Sequence, residues 1–524
     1  MIRNAVLGAS ALAMALTAGA AHANTLRWAF SGDVVTLDPF AHTESFTSAF
    51  LEHIYEPLVR RDRDLGIEPA LATSWEIVQP DVWRFKLREG VTFHDGAPFT
   101  ADDVVASITR VLNPDARARG RLLSVKEARK IDDLTVEMVT DGPYPLLLND
   151  LNGIHIMDAE WLKANDAEQP GNTTTGVTTY ASTHTNGTGP FKLESYRPDQ
   201  KTVLTVNEAW WDEPEHNLTR IEFMPIKSDA TRVAALLSGE IDMMVPAPLQ
   251  DIARIQAAPG LEVAESPSLR TIFFGMNQQD EELHDSNVKG KNPLKDVRVR
   301  KALWMGIDTD LLNRKVMRGT ARVAGLLAAP AIRGHDDAID ARPPHDVDGA
   351  KALLAEAGYP DGFSTNLSCP NDRYVKDEEL CVAVAAMWAR IGVKANLVAE
   401  SKTTFFPKVD RGEADIYLLG WATLPQMDTY SIVSSLLATP DGPLGGNNAG
   451  GYSNARIDEI AIEAATELDE TKRLAMMTEA LKIARDEVAY IPLHQQPIAW
   501  AMRSNVELPQ FADEYVRLRF ARIN

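Results

Sequence analysis

The stretch Trp83–Val104, WRFKLREGVTFHDGAPFTADDV, contains the local signals that decide how this part of the chain folds. Its first five residues alternate apolar and charged side chains, as a strand with one buried face does. A second short strand is predicted before the turn at Gly96, since glycine readily adopts positive φ. Thr100 and Asp103 have the spacing of a capping box, which predicts a helix that begins at Ala101. The segment therefore predicts strands followed by a helix, and none of its residues suggests catalysis.

Further blocks with recognisable composition follow along the chain. They are GTGPFKL at 187–193 with Trp210-Trp211 behind it, GEID at 239–242, NPLKDVRVRKA at 292–302 and NAGGYSNARID at 448–458. The type and order of these blocks resemble the family 5 extracellular solute-binding proteins, the receptors of peptide, opine and nickel importers. A Gly-rich loop can also bind phosphate, but residues 187–193 lack the Lys-Ser/Thr pair or helix start that such a site requires. The resemblance covers essentially the whole chain after residue 23.

The resemblance implies an α/β fold with two lobes, of the class II periplasmic binding-protein type, with an extra subdomain inserted in the first lobe. The predicted division is a signal peptide at 1–23, lobe I at 24–58, 187–272 and 490–524, an inserted subdomain at 59–186, and lobe II at 273–489. Ile272–Asn277 and Tyr490–His494 are apolar stretches that we expect to cross between the lobes. Two crossing strands would form a hinge that permits the lobes to close around a ligand.

The first 23 residues have the features of a secretory signal peptide. Arg3 supplies a positive charge, an Ala-rich apolar run extends from Ala5 to Ala21, and Ala21-His22-Ala23 has the small-x-small form of a cleavage site. No cysteine that could carry a lipid anchor lies near this site. The sequence therefore predicts release into the periplasm, with an uncleaved membrane helix as the alternative interpretation.

Length and charge restrict the class of partner. The chain has 524 residues and a net charge of -21 at pH 7. This length predicts two or three domains, each large enough to bury a core. The acidic charge argues against nucleic acid and anionic lipid, because both would be repelled. We expect a monomer without a cofactor, which binds a small molecule and, by resemblance, serves an ABC permease in the inner membrane.

Cys369 and Cys381 are the only cysteines in the sequence. In an oxidising compartment such a pair is more often joined than free, so we expect a disulfide, with two buried thiols as the alternative. Cys369 ends a predicted strand and Cys381 lies in the predicted helix 377–391, so that a bridge would stiffen the loop 370–376. No histidine lies near the two cysteines, which argues against a zinc site.

The resemblance places the ligand in the cleft between the lobes. It implies that the loop after the first strand, with Ser31, Gly32 and Asp33, offers backbone groups and a side chain to the ligand. It also implies that the pair Gly420 and Trp421 faces the cleft, where an indole forms a flat apolar wall with one N–H donor. The structural alternatives are a simple turn in the first case and a core tryptophan in the second.

Tyr417, Arg373 and Asp428 are further candidate ligand contacts. Tyr417 has the same two interpretations as Trp421. Arg373 lies between the cysteines, where related receptors carry an arginine that binds a ligand carboxylate. Asp428 is the first carboxylate after Trp421, whereas peptide-binding members usually place an acid closer, to pair with the α-ammonium. Either the loop returns Asp428 to the cleft or this contact is missing, which leaves room for opines, modified peptides or glutathione-like solutes.

Other functions are weaker interpretations of the same sequence. No G-x-S-x-G, H-E-x-x-H or Walker motif is present, so we expect no enzyme and no catalytic residue, with a periplasmic hydrolase as the alternative. A chelated metal carried by a small molecule is another alternative. His42, His53 and His494 could act singly, but a dedicated metal site needs several converging ligands, and none is predicted. A chaperone-like binder of unfolded segments is a third.

Overall fold

The computed structural model describes residues 24–440 and 443–524, so that the predicted signal peptide lies outside the described residues. Among the helices of these ranges, none combines the length and the apolar character that a bilayer span requires. The strands are β1 (Thr25–Phe30), β2 (Val59–Arg61), β3 (Ile67–Pro69), β4 (Ala72–Gln79), β5 (Val82–Leu87), β6 (Val125–Asp132), β7 (Thr135–Thr140), β8 (Phe191–Arg197), β9 (Lys201–Val206), β10 (Arg220–Pro225), β11 (Met243–Val245), β12 (Leu261–Met276), β13 (Arg322–Val323), β14 (Phe363–Pro370), β15 (Val393–Glu400), β16 (Ile416–Trp421), β17 (Ile491–Arg503), β18 (Val506–Glu507) and β19 (Arg522–Ile523). The helices are α1 (Ser45–Leu51), α2 (Ala101–Leu112), α3 (Leu147–Leu151), α4 (Ala159–Ala164), α5 (Asp229–Ser238), α6 (Ile252–Gln256), α7 (Val297–Met305), α8 (Thr309–Lys315), α9 (Val347–Glu356), α10 (Asp377–Arg390), α11 (Lys402–Asp410), α12 (Tyr430–Ile432), α13 (Ala455–Ala464) and α14 (Glu470–Asp486).

The segment Trp83–Val104 folds largely as its sequence predicts. Strand β5 pairs with β4 and β7 in a four-stranded antiparallel sheet, and helix α2 begins at Ala101. The predicted capping box is present, with the carboxylate of Asp103 accepting from the backbone N–H of Thr100 at 2.7 Å. The predicted second strand is reduced to a single bridge between Thr92 and Pro98. The sheet and α2 both lie inside the range 59–186.

The main sheet joins both halves of the molecule. In the described residues it holds 11 strands, in the order β15-β14-β16-β12-β17-β11-β1-β10-β9-β8, with β13 added on β17. Strand β1 pairs in parallel with β10 and β11, and β14 pairs in parallel with β15 and β16. Each of these parallel groups has helices between its strands, as an α/β unit requires. The two groups are the centres of lobe I and lobe II.

Two adjacent antiparallel strands, β12 and β17, connect the groups. Strand β12 also pairs with β16 of lobe II, and β17 also pairs with β11 of lobe I. The register between β12 and β17 slips between Pro267 and Thr271, and Pro267 lies opposite Pro497. Since proline has no N–H to donate, this point has fewer ladder hydrogen bonds than the rest of the pair. The hinge is therefore weakest here, and the predicted crossings at 272–277 and 490–494 lie on its lobe II side.

A second connection lies beside the hinge. Leu65, in the turn between β2 and β3, is buried in an apolar cluster with Phe273 and Met427 of lobe II. The buried guanidinium of Arg61 donates to the carbonyl oxygens of Pro425 and Gln426, each at 3.3 Å. We call this the lateral contact. It means that the two lobes share buried apolar surface in addition to the two strands.

Candidate ligand-binding cavity

A cavity of about 930 Å³ lies between the lobes and beside the hinge strands. Lobe I lines it with the end of β1, with α1, and with the segments 245–250 and 513–516. Lobe II lines it with the segment 373–377 and with Leu424, and the hinge strands contribute Arg270 and residues 496–500. This volume is in the range of pockets that enclose most of a small ligand.

The wall that lobe I provides is mainly aromatic. Phe30 and Phe46 are stacked, with ring centroids 3.9 Å apart and planes within 4° of each other. The Trp28 ring lies edge-on to Phe46 at 5.7 Å. The indole N–H groups of Trp28 and Trp500 are buried and have no hydrogen-bond partner within the described chain. This wall therefore offers apolar surface, which suits the carbon skeleton of a ligand.

The wall that lobe II provides is a short loop closed by a disulfide. Cys369, in β14, is bonded to Cys381, in α10, so the predicted disulfide is present. Between them, the carboxylate of Asp377 accepts from the backbone N–H groups of Arg373 and Tyr374, both at 2.9 Å. The exposed guanidinium of Arg373 lies 5.1 Å from the centroid of the Tyr374 ring. The disulfide and the Asp377 bonds together fix the backbone that carries Arg373.

Most charged groups of the cavity wall already have partners in the protein. Glu44 accepts from two backbone N–H groups of α1, Asp377 accepts from backbone N–H groups, and three acids form salt bridges, namely Asp229 with Arg232, Glu379 with Lys376, and Asp513 with Arg517. Within the described chain, the lining residues Arg270, Arg373 and Glu514 form no salt bridge. These three charges are therefore available to a ligand.

Arg270 and Glu514 affect each other electrostatically. Burial lowers the pKa of the Arg270 guanidinium, and the nearby carboxylate of Glu514 opposes that shift. Burial raises the pKa of the Glu514 carboxyl, and Arg270 opposes that shift in turn. The side chain of Glu514 is exposed to solvent, but it lies in a cleft, and the walls of the cleft limit the hydration of its carboxylate. One contact of the Arg270 guanidinium with protein is a long hydrogen bond of 3.4 Å to the carbonyl oxygen of Gly420.

The structure places two of the predicted ligand contacts on the cavity wall. Ser31 and Arg373 both line the cavity. Gly32 and Asp33 are not among its lining residues. The carboxylate of Asp33 instead accepts from the backbone N–H groups of Val34 at 2.8 Å and Asp199 at 2.5 Å, which is the simple turn given as the alternative.

Gly420 and Trp421 lie behind the wall rather than in it. The indole of Trp421 donates to the hydroxyl of Ser431 at 3.3 Å and packs against the apolar cluster of the lateral contact. A Cβ atom on Gly420 would lie 2.8 Å from the Tyr374 ring and 3.2 Å from the Arg270 side chain. The missing side chain therefore makes room for two cavity residues, whereas the sequence suggested that it makes room for the ligand.

The structure contradicts Tyr417 and Asp428 as ligand contacts. Tyr417 is buried against Phe405 and Val409, because β16 is a central strand covered on both faces. Asp428 is fully buried in an ion pair with Arg473, which donates to it through Nη1 at 2.9 Å and through Nη2. Its carboxylate is therefore unavailable to an ammonium group in the cavity.

Arg270, Glu514 and the aromatic pair Phe30 and Phe46 were not identified from the sequence. Arg270 stands two residues before the apolar run at 272–276, and an isolated charge at that position was a usable signal. No comparable sequence signal marks Glu514. Its availability depends on which of the two adjacent acids, Asp513 or Glu514, pairs with Arg517, and the structure shows that Asp513 does.

The histidines weighed as metal ligands are not among the lining residues of the cavity. Burial lowers the pKa of His53 to about 4 and that of His494 to about 3. His42 is bonded through Nδ1 to the hydroxyl of Thr173. A separate trio of one histidine and two acids, His335, Asp337 and Asp340, lies close together away from the cavity, but there Asp340 forms a salt bridge at 2.8 Å with Arg322.

Two lobes that enclose a cavity with unpaired charges define a bilobal ligand-binding protein. The family model of the bacterial extracellular solute-binding proteins, family 5 (middle part), matches residues 66–442, and the chain belongs to this family. The predicted family and the two-lobed α/β fold are thereby confirmed.

The chain is similar to proteins of known name. It is 28% identical over 482 residues to heme-binding protein A of Haemophilus influenzae, covering 85% of this chain and 82% of that protein. It is 26% identical over 487 residues to the glutathione-binding protein GsiB of Salmonella typhimurium, covering 91% and 90%. The solved structure of HbpA2 from Haemophilus parasuis superposes with a TM-score of 0.82 at 24% identity, covering 96% of this chain and all of that one.

Family membership gives the general function. Family 5 proteins are the solute-binding components of ABC importers, they are periplasmic, and they are binding proteins rather than enzymes. The predicted role as a solute-binding protein of an ABC importer is therefore confirmed. The predicted domain bounds remain predictions, as do Ser31 and Arg373 as ligand contacts.

Proposed function

We propose that this protein captures a small peptide-like solute that carries a free carboxylate, closes its lobes over it, and delivers it unchanged to an inner-membrane ABC permease. It would do so as a monomer in the periplasm after its signal peptide is removed. The observation that carries the proposal is the pair of unpaired guanidinium groups, Arg270 and Arg373, on the wall of a cavity between two lobes. An opine would satisfy the same requirement.

Arginine suits this task because its planar fork binds a carboxylate through two parallel hydrogen bonds. Arg270 is half-buried in the cleft, and Arg373, which is exposed, would lose solvent as the lobes close, so that a charged partner would be attracted more strongly than at an open surface. The aromatic pair Phe30 and Phe46 faces the same cavity and suits the carbon skeleton of the solute. Such an arrangement supports binding of a compact molecule that has an acidic end and an apolar part.

Lobe closure follows from the placement of these groups. The solute would contact the aromatic wall of lobe I and Arg373 of lobe II at the same time. A ligand favours a closed form only by its extra affinity for that form, and contacts from both lobes supply this difference. The prolines opposite each other in the hinge support bending at that point.

Heme is the second candidate, because the chain resembles heme-binding protein A. Heme iron is held in proteins by His, Cys, Met or Tyr. Among the described lining residues, Tyr374 and Tyr515 are of these types, and no His, Cys or Met is among them. The donor set therefore supports a peptide-like solute better, while similarity to the glutathione-binding protein GsiB points in the same direction.

The test is isothermal calorimetry on protein freed of copurifying ligand by partial unfolding and refolding. Glutathione, di- and tripeptides with a free C-terminal carboxylate, and the same peptides as C-terminal amides would be titrated. We expect free acids to bind at least about tenfold more tightly than their amides, since a charge-assisted hydrogen bond contributes about 1.5–3 kcal/mol. Hemin would be followed by its visible absorption.

Two further measurements complete the test. Small-angle scattering should show a smaller radius of gyration with the ligand that binds best, and mass spectrometry should recover that ligand unchanged. Equal affinity for acids and amides would refute the proposal, as would tight binding of hemin alone. Turnover of the ligand would show that the protein is an enzyme.

A further inference from the structure

Glu514 differs from the other acids of the cavity wall. The other lining carboxylates, Glu44, Asp229, Asp377, Glu379 and Asp513, all accept hydrogen bonds from backbone N–H groups or form salt bridges. Glu514 forms no salt bridge within the described chain, although the Ser268 hydroxyl approaches it. Its backbone has a φ of 70°, an uncommon conformation for a residue with a side chain. The fold thus holds one carboxylate in the cavity without a cationic partner.

The position of Glu514 relative to Arg270 is the second observation. The two residues lie on adjoining segments, because the backbone N–H of Leu269 donates to the carbonyl oxygen of Ala512 at 2.8 Å, and both residues line the cavity. No salt bridge joins them within the described residues, so the two opposite charges are neighbours without direct contact. A small zwitterionic group that lies against both would pair its carboxylate with Arg270 and its ammonium with Glu514.

Arg373 supplies the third unpaired charge, on the opposite wall. The available charges of the cavity are thus two cations and one anion. They complement a solute with two carboxylates and one ammonium, in which the ammonium and one carboxylate are close together.

We propose that Glu514 and Arg270 together bind an intact α-amino-acid group, that Arg373 binds a second carboxylate, and that the preferred solute is therefore a γ-linked rather than an α-linked peptide. In an α-linked peptide the first residue has lost its α-carboxylate to the peptide bond. In a γ-glutamyl peptide the first residue keeps both its ammonium and its carboxylate on one carbon atom. This inference rests on the proposed function and gives it a more specific ligand.

The proposal also accounts for the missing acid after Trp421. Asp428, the first carboxylate in that loop, is bonded to Arg473 and cannot reach the cavity. Glu514 provides the ammonium contact from lobe I instead. An ammonium bound there lies beside Arg270, whereas an acid in the loop after Trp421 would place the ammonium on lobe II.

The test compares γ-Glu-Ala-Gly with α-Glu-Ala-Gly by calorimetry. The two isomers have the same atoms and the same net charge, and only the linkage differs. We expect the γ isomer to bind at least about tenfold more tightly, which corresponds to one charge-assisted contact. Equal binding of the isomers, or a preference for the α isomer, would overturn the inference while leaving the proposed function intact. Failure of both isomers and of all other acidic peptides would overturn the proposed function itself.

The variant Glu514→Gln identifies the residue responsible. We expect it to weaken γ-Glu-Ala-Gly by about tenfold and to leave glutaryl-Ala-Gly, which lacks the ammonium, within about twofold of the unmodified protein. Glu507→Gln, an exposed change in β18, is the control and should alter neither affinity. An equal loss for both compounds would refute the ammonium role, and thermal melting would show whether each variant remains folded.

Discussion

The two walls of the cavity differ in chemistry and in how they are held. The lobe I wall rests on a stacked aromatic pair within the large core of that lobe. The lobe II wall is a loop that a disulfide and the carboxylate of Asp377 hold in place. One wall therefore offers area, and the other offers a guanidinium group at a fixed position.

This difference means that the aromatic wall mainly contributes affinity, whereas the guanidinium groups mainly determine which ligands bind. The free energy gained by apolar contact is roughly proportional to the buried area, so an apolar wall can bind many different carbon skeletons. A guanidinium fork accepts few groups, because its hydrogen bonds are directional. We therefore expect changes in the aromatic part of the lobe I wall to weaken all ligands alike, and changes at Glu514, Arg270 and Arg373 to alter which ligands bind.

The largest effect is expected for Arg373→Ala and Arg270→Ala. Each should weaken a peptide with a free carboxylate by about 100-fold, because removing one partner of a desolvated charge pair costs about 2–5 kcal/mol. Calorimetry at two salt concentrations would measure the loss. Arg298→Ala, an exposed arginine of lobe II that pairs with Asp296, is the control. A peptide amidated at its C-terminus should lose little in Arg373→Ala, and an equal loss for amide and acid in that variant would contradict the division between the walls.

The double change Cys369→Ser with Cys381→Ser should act on both stability and binding. Loss of a disulfide of this kind costs about 2–4 kcal/mol of unfolding free energy. The loop that carries Arg373 would also be freer, so we expect about a tenfold loss of affinity for acidic peptides. Thermal melting and calorimetry would measure the two effects, and reduction of the unmodified protein should reproduce them. An unchanged affinity would show that the Asp377 bonds alone hold the loop.

Gly420→Ala tests how the charged wall is positioned. The new methyl group would lie within 3.2 Å of both the Tyr374 ring and the Arg270 side chain, so both must move. We expect affinity for acidic peptides to fall by several-fold to about tenfold, on the order of 1 kcal/mol. Gly120→Ala is the control, since a methyl group there meets no atom within 4 Å. If both variants bind alike, Gly420 does not position the wall.

Phe30→Leu tests the aromatic wall and should have a smaller effect. The change keeps an apolar side chain but removes the stack with Phe46, which contributes about 0.5–1.5 kcal/mol. We expect a loss of about three- to tenfold that is the same for acids and amides. A change in the ratio of the two affinities would show that the aromatic wall also selects.

The smallest effect on affinity is expected beside the lateral contact, where the side chain of Gln426 donates to the carboxyl of Asp150 at 3.3 Å. Burial raises the pKa of Asp150 from 3.8 to about 7, and its carboxyl is bonded to the Tyr144 hydroxyl and to the Gln426 side chain. A carboxyl with a raised folded-state pKa contributes stability below pH 4, and this is lost as pH rises towards 7. Melting temperature should therefore fall over that range, and Asp150→Asn should remove this part of the fall. An unchanged pH profile would contradict the assignment.

The sequence predicted features that depend on short-range signals. The capping box of Thr100 and Asp103 involves residues three positions apart, and it was found. The disulfide and the cavity position of Arg373 followed from a single pair of cysteines and from family resemblance. Tyr417 was wrong because strand alternation cannot show which face of a central strand meets a cavity.

The long-range part of the site could not be predicted. Whether Asp428 was available depended on Arg473, which lies 45 residues further along the chain. Glu514 enters the proposed site only because Asp513 is bonded to Arg517, and its segment meets β12 through the hydrogen bond from the N–H of Leu269 to the carbonyl oxygen of Ala512. No local sequence pattern indicates that such distant segments lie together in the fold.

The pairing of β12 with β17 has a consequence for how the chain folds as it emerges. Strand β1 lies between β10 and β11, and β11 in turn needs β17, so the central part of this sheet joins segments from near residue 25 to residue 503. Contacts between such distant segments form late and slowly. A nascent chain would therefore hold its first lobe incomplete until synthesis is almost over.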